Sequence, residues 1–256
     1  MADTMKTFVI GDIHGGYRAL LQVFDRAQFD YDHDTLIALG DLVDGWPQSK
    51  EVMNELLKIK RLILLLGNHD EWFLTWVDRG CRQDWDMDEA WLNHGRLATL
   101  QSYAYGNGFP PAHRELFRSA RLVYRDAANR VFVHAGLDPT VTLDKQPRNT
   151  CLWDRELLQQ AYKAHQHDPA ARLTPYQEIY VGHTTTQNYH SEVPVQFCEV
   201  WAMDTGAGWE GRLSMLDVET KELFQSDEVV TLYPDTEHVR VRSRVFKIIG
   251  EKPWRR

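Results

Sequence analysis

The chain has 256 residues, 43% hydrophobic and 26% charged, the proportions of an ordinary globular protein. A formal net charge of −8 argues against general affinity for nucleic acid, and no apolar run approaches the length of a membrane span. The start, Met1 to Lys6, has no basic segment leading into an apolar core, and Cys81, Cys151 and Cys198 lack CxxC spacing, so free thiols in a reducing cytoplasm are expected.

Thr7–Ile10 is a short β-branched apolar run and reads as a buried strand. A helix follows from about Tyr17, with Ala19, Leu20, Val23, Phe24 and Ala27 on one face. Strand 35–39, a helix over about 49–59 and strand 62–66 complete a βαβαβ pattern, which implies parallel strands joined by crossovers. From about Glu71 to Ala120 the pattern is helical and is broken at Gly106 to Pro111. Strands then dominate: 122–125, 130–133, 178–181, 200–203 and 213–218. Residues 155–175 read as a helix and a polar loop. The tail from Asp227 mixes β-branched residues with charge and is open to either reading. One domain over 1–256 is expected, with a helical segment at about 71–120 and a strand-rich C-terminal half.

Chemistry-bearing residues recur where these strands end. Asp12 and His14 follow the first strand, Asp41 the second, and Asn68 and His69 the third. The step from Asp12 to Asp41 is 29 residues and from Asp41 to Asn68 it is 27, each about one βαβ unit of roughly 30 residues. Parallel strands finish at the same sheet edge, where ligands bind in open α/β sheets. His134 and His183 also follow strands directly. A glycine precedes most of these clusters and is expected to permit a tight exit turn. The mixed oxygen and nitrogen set suits Mn, Fe or Zn, Mn being expected first. Six ligands are too many for one catalytic ion that keeps an open position, and a carboxylate can bridge two ions. Asp41, central in the series, is the expected bridge. Two such ions lie roughly 3.5–4 Å apart, and a water between them can lose its proton near neutral pH and attack phosphorus in line.

The ordered set Gly11-Asp12-Ile13-His14-Gly15, Gly40-Asp41-Leu42-Val43-Asp44-Gly45, Gly67-Asn68-His69-Asp70, His134-Ala135-Gly136 and Gly182-His183-Thr184 resembles the calcineurin-like metallophosphoesterases. The likeness is to the bacterial phosphoprotein phosphatase branch, which includes bacteriophage lambda phosphatase and the diadenosine tetraphosphatases. It implies a four-layer α/β/β/α sandwich with a helical cap insertion. It implies that Asp12, His14 and Asp41 hold one metal, and that Asp41, Asn68, His134 and His183 hold the other. By the same resemblance His69 is the general acid, Asp44 orients it, and Arg155 grips the phosphate. The substrate expected first is a phosphoprotein or small phosphomonoester, with a dinucleoside polyphosphate such as diadenosine tetraphosphate as the alternative. A non-catalytic sensor of a phosphorylated ligand is the reading from a different class. No stable nucleic-acid or membrane partner is expected, and the oligomeric state is open.

One departure stands out. The family's second motif ordinarily carries an arginine where this chain has Gly45. Either Arg96 reaches in, or the pocket is more open, with Trp46 lining its entrance; the open pocket is the expected outcome. Asp32-His33-Asp34 precedes a strand and reads as an exposed turn at the opposite edge. His113, His165, His167, His190 and His238 are expected in surface or packing roles. Trp72 and Trp76, spaced i,i+4, are expected in the core rather than as a stacking platform. Asp204 follows a strand and is expected to support the site by hydrogen bonding.

Overall fold

Alternation within single strands decides the layering. In β1 (Thr7–Ile10) and β2 (Thr35–Ala38), Phe8, Ile10, Leu36 and Ala38 pack with Leu20 and Val23 of α1 (Tyr17–Ala27) and Val52 and Met53 of α2 (Ser49–Leu56). Their neighbours Val9 and Ile37 point the other way, as period-2 geometry requires. They meet Phe132 of β5 (Arg130–Val133) and Tyr180 of β6 (Glu178–Val181), whose rings stack at 4.9 Å. On the far face of that second sheet, Val131, Val133, Ile179 and Val181 pack against Leu157, Leu158 and Ala161 of α7 (Glu156–His167). The order is therefore helix, sheet, sheet, helix. Strands buried on both faces explain why these runs are apolar throughout.

The computed structural model describes residues 5–81, 91, 93–104 and 109–234. The first sheet has the order β10-β9-β1-β2-β3, with β3 at Arg61–Leu64, β9 at Ser214–Asp217 and β10 at Leu223–Gln225. Strands β1, β2 and β3 are parallel, and β9 runs against β1. The second sheet has the order β4-β5-β6-β8-β7, with β4 at Val123–Arg125, β7 at Val195–Phe197 and β8 at Val200–Ala202. Here β5, β6 and β8 are parallel. Two strands have no counterpart in the sequence reading, β7 and β10. Both are three-residue edge strands, too short and too mixed in polarity to show a period.

The helical stretch contains α3 (Asn68–Asp78), α4 (Arg96–Ser102) and α5 (Pro111–Ser119), the last opened by a proline in its first turn. Helix α3 begins at Asn68 rather than near Glu71, so Asn68 and His69 belong to its first turn. A further short helix, α6 (Arg148–Trp153), precedes α7. Of the expected break at Gly106 to Pro111, residues 106–108 lie outside the described residues. So does the tail from 235 on, including His238. Its described part forms α8 (Val229–Leu232) and Tyr233.

Tyr233 corrects the expectation for Trp46. Trp46 is fully buried, stacked on Tyr233 at 4.9 Å, with its indole N–H donating to the Ala207 carbonyl at 2.7 Å. It braces the loop after β2 from below and lines no entrance. An indole with a satisfied N–H is stable in a core, which its position in a polar motif concealed. Asp34 is a second correction. It is buried and accepts the backbone N–H groups of Lys6 and Asp30, while Asp32 and His33 beside it are exposed. Among the described residues no helix is long and apolar enough to cross a membrane.

Candidate active site

Each strand end delivers what its position in the chain suggested. Asp12 and His14 leave β1, Asp41 leaves β2, Asn68 and His69 open α3 after β3, His134 follows β5 and His183 follows β6. His14, Asp41, Asp44 and His183 all hold a positive φ, between 50° and 69°. Such backbone is uncommon for residues with a Cβ, and here it falls on four residues of the loops that follow β1, β2 and β6.

The glycines act partly for another reason than the one expected. Gly40 does need its φ of 99°. Gly67 has φ −92°, an ordinary value; a Cβ there would lie 2.1 Å from an Asp41 carboxylate oxygen. A Cβ on Gly182 would lie equally close to an Asp12 oxygen. These two glycines make room for the carboxylates rather than for a turn.

Asp41 sits at the centre. One of its oxygens, Oδ2, lies 3.7 Å from His14 Nε2, 3.9 Å from His69 Nε2 and 3.5 Å from His134 Nε2. Two donor groups share it: His14 with Asp41 and His69, and Asp41 with His134 and His183, each with donor atoms within 4.8 Å of one another. Asp12 Oδ2 lies 3.9 Å from His14 Nε2, and the Asp12 carboxylate accepts the His183 backbone N–H. Asn68 Oδ1 lies 3.0 Å from His134 Nε2.

The ring tautomers can be read from the carbonyls. His14 Nδ1–H donates to Val43 O at 3.0 Å, and His134 Nδ1–H donates to Leu39 O at 2.9 Å. Both Nε2 lone pairs are thereby turned inward, the arrangement that backbone carbonyls enforce on metal-binding histidines. Burial holds His134 neutral by lowering its pKa to about 4, and it lowers His183 well below the ordinary range. Burial, then the charges of Asp204 and Asp41, push Asp12 well above the carboxylate range. The Nε2 atom of His183 is buried with no hydrogen-bond partner among the described residues. Neutral imidazole nitrogens and crowded carboxylates thus face one another, with His134 Nε2 turned toward Asn68 Oδ1 and Asp12 driven toward its protonated form. That is a donor set that fits divalent cations and is unfavourable without them.

His69 is held differently. Its Nδ1–H donates to Asp44 Oδ2 at 2.7 Å. Asp44, fully buried, also accepts from the Trp91 indole N–H at 2.6 Å and the Thr99 hydroxyl at 2.7 Å. Three donors thus converge on this buried carboxylate. Trp91 and Thr99 carried no signal in the sequence, because nothing in their spacing relates them to Asp44. Asp70 also escaped notice, although it completes the Gly-Asn-His-Asp motif. Its carboxylate accepts the backbone N–H groups of Asp41, Leu42 and Gly67, tying the loops after β2 and β3 together. Burial, then Asp41, push its pKa up to about 7, while those backbone donors act the other way.

Arg155, the residue before α7, is exposed, and its guanidinium lies near the charges of Asp41, Asp154 and Asp204. Asp204 is buried and accepts the Gly206 backbone N–H, in line with a supporting role. The guanidinium of Arg96 lies over the Trp91 ring at 5.6 Å. Gly45 is pressed against Gly95, whose carbonyl accepts its N–H at 3.3 Å. The pair Trp72 and Trp76 divides. Trp76 is buried, as expected, but Trp72 is only partly buried and its ring lies 5.0 Å from that of His69. His113 is buried between the Tyr103 hydroxyl and Asn54 Oδ1, a packing role.

Two sheets whose parallel strands end in a shared carboxylate, neutral imidazoles and an Asp–His pair define a hydrolytic metal-site class. The chain belongs to the calcineurin-like phosphoesterases, whose family profile matches residues 5–200. Over 138 residues it is 34% identical to a symmetrical bis(5'-nucleosyl)-tetraphosphatase of Coxiella burnetii, covering 52% of this chain and 43% of that protein. An enzyme of the same description from Pseudomonas entomophila is 32% identical over 145 residues, covering 55% of this chain and 46% of its own. The matched part thus spans under half the length of these relatives. Among solved structures, a candidate diadenosine tetraphosphatase superposes with TM-score 0.64 at 20% identity, covering 88% of this chain and 94% of its own. A serine/threonine phosphatase of Saccharomyces cerevisiae superposes with TM-score 0.59 at 16% identity, covering 94% and 84%. At these identities the likeness is one of fold, and it bears out the α/β sandwich expected from the sequence.

Proposed function

We propose that the chain is a metal-dependent phosphoester hydrolase that cleaves nucleotide polyphosphates of the dinucleoside tetraphosphate kind. The observation that carries the hydrolytic reading is the gathering of Asp12, His14, His134 and His183 around Asp41, beside a His69 whose Nδ1–H is held by Asp44. The names of the relatives at 34% and 32% identity support ranking dinucleoside polyphosphates ahead of the phosphoproteins expected from the sequence. In this reading Asp12, His14 and Asp41 hold one divalent cation, and Asp41, Asn68, His134 and His183 the second, with Mn²⁺ first among the ions the donors suit. When bound, such cations supply Lewis acidity and make water a nucleophile near neutral pH.

The chain's own residues do the rest. Arg155 offers a fork of N–H donors that fits two phosphate oxygens at once. Asp44 accepts the Nδ1 proton of His69 and stabilises the ring's charged form. His69 Nε2, facing the Asp41 oxygen across 3.9 Å, is placed to give a proton to the departing oxygen. Trp91 and Thr99 fix the Asp44 carboxylate, so the imidazole keeps one orientation while it loses and regains its proton.

The test is a parallel screen of the Mn²⁺-loaded protein on diadenosine tetraphosphate, mononucleotides, phosphopeptides and bis(p-nitrophenyl) phosphate. Cleavage of diadenosine tetraphosphate that chelation abolishes is expected. Full activity after chelation would contradict the metal reading, and a preference for phosphopeptides would move the substrate back to proteins.

A further inference from the structure

Trp72 lies on the same helix as buried Trp76, one turn earlier, yet is left partly exposed. Its indole packs in part against the first hydrophobic core and also lies beside the His69 ring. The Trp72 ring meets the His69 ring at 5.0 Å and 77°, and the Trp153 ring at 5.1 Å and 64°. Trp153, also partly buried, meets the His183 ring at 5.9 Å and 87°. The two indoles therefore form an aromatic corner that runs from the proposed proton donor to a proposed ligand of the second cation.

The corner is fixed in place. Trp72 belongs to α3 and Trp153 ends α6, and Glu71 of α3 pairs with Arg148, the first residue of α6. Rigid aromatic groups lose little entropy on binding, which suits them to recognise flat partners.

We infer that Trp72 and Trp153 form a base-stacking subsite for the leaving nucleotide. This rests on the hydrolase reading, because the leaving oxygen is placed beside His69 by that reading. A group departing toward His69 comes beside the Trp72 ring, 5.0 Å from that of His69, with the His94 ring 6.1 Å from Trp72. A bicyclic purine matches the width of an indole face, and base–aromatic stacking corresponds to about a 5- to 150-fold gain in affinity per base.

The test uses two non-hydrolysable anions that differ by the nucleoside: α,β-methylene adenosine diphosphate and methylenediphosphonate. Binding to the Mn²⁺-loaded full chain is measured by calorimetry for wild type, Trp72→Leu, Trp72→Phe and Trp76→Leu. Wild type is expected to favour the nucleotide by about tenfold or more. That ratio should fall at least about fivefold in Trp72→Leu and be largely restored in Trp72→Phe, which keeps a flat ring. Trp76→Leu removes core volume and should lower stability with the ratio unchanged. Equal weakening of both anions in Trp72→Leu, or a wild-type ratio near one, would overturn the subsite. An intact ratio in a protein that cleaves no phosphoester would uphold the subsite and remove the hydrolase reading alone.

Discussion

His69 is the residue on which the proton chemistry turns. Its Nδ1 is committed to Asp44, which leaves Nε2 for the leaving group. His69→Asn removes that proton donor and keeps Asp41 and the other imidazoles. The expected outcome is a loss of ~10²–10⁴-fold in kcat on esters with poor leaving groups, and a much smaller loss on p-nitrophenyl esters. Steady-state kinetics on both substrate types decides, and equal losses would remove the assignment. Arginine roles separate in the same way. Arg96 lies over Trp91 and near the charge of Asp44, whereas Arg155 lies near the charges of Asp41 and Asp204. Arg155→Ala should lower kcat/KM on the order of 10²-fold, about two charge-assisted hydrogen bonds. Arg96→Ala should stay within about threefold of wild type. If both variants lose equally, Arg96 is the clamp that replaces the arginine missing at Gly45, and the more open pocket is wrong.

At the scale of elements, legibility followed burial. The parallel strands β1, β2, β5 and β6 were visible as short apolar runs because both faces are covered, and their ends carry the donors. Edge strands β7 and β10 were not, since three residues cannot establish a period. The site was legible where a strand end delivers a side chain directly, as with Asp12, Asp41 and His134. It was not legible where support arrives from a distant helix, as with Trp91 and Thr99 around Asp44. Trp72 and Trp76 show the limit of spacing arguments: both pack in the same core, and Trp72 also lies beside His69.

Helix α5 offers a test of its own through His113. Burial, then Lys50, lower its pKa to about 4. The neutral ring is satisfied at both nitrogens, accepting from Tyr103 and donating to Asn54. The unfolded chain takes up the proton near pH ~6.5, while the folded chain refuses it until about pH 4. Stability therefore falls as pH drops through that window and levels off below it. In thermal melts from pH 7 to pH 4, His113→Gln should show a shallower fall in Tm than wild type. Parallel curves would mean that His113 does not contribute to the acid sensitivity.

At the scale of the whole molecule, the donors come from both sheets. Asp12, His14, Asp41 and Asn68 leave the first sheet, and His134 and His183 leave the second. In the proposed assignment the second cation takes ligands from each, so it would tie the two halves of the sandwich together as well as serve the reaction. Ligands that bind only the folded state raise its stability in proportion to the logarithm of their concentration over Kd. The account stands or falls on Asp41 as the shared ligand, and the most direct measurement is metal content per chain, by mass spectrometry after Mn²⁺ loading and desalting. Wild type is expected to retain two ions, His14→Asn to lose mainly one, and Asp41→Asn to retain less than His14→Asn. Wild-type occupancy in Asp41→Asn, or a fully active wild type that retains no metal, would contradict it.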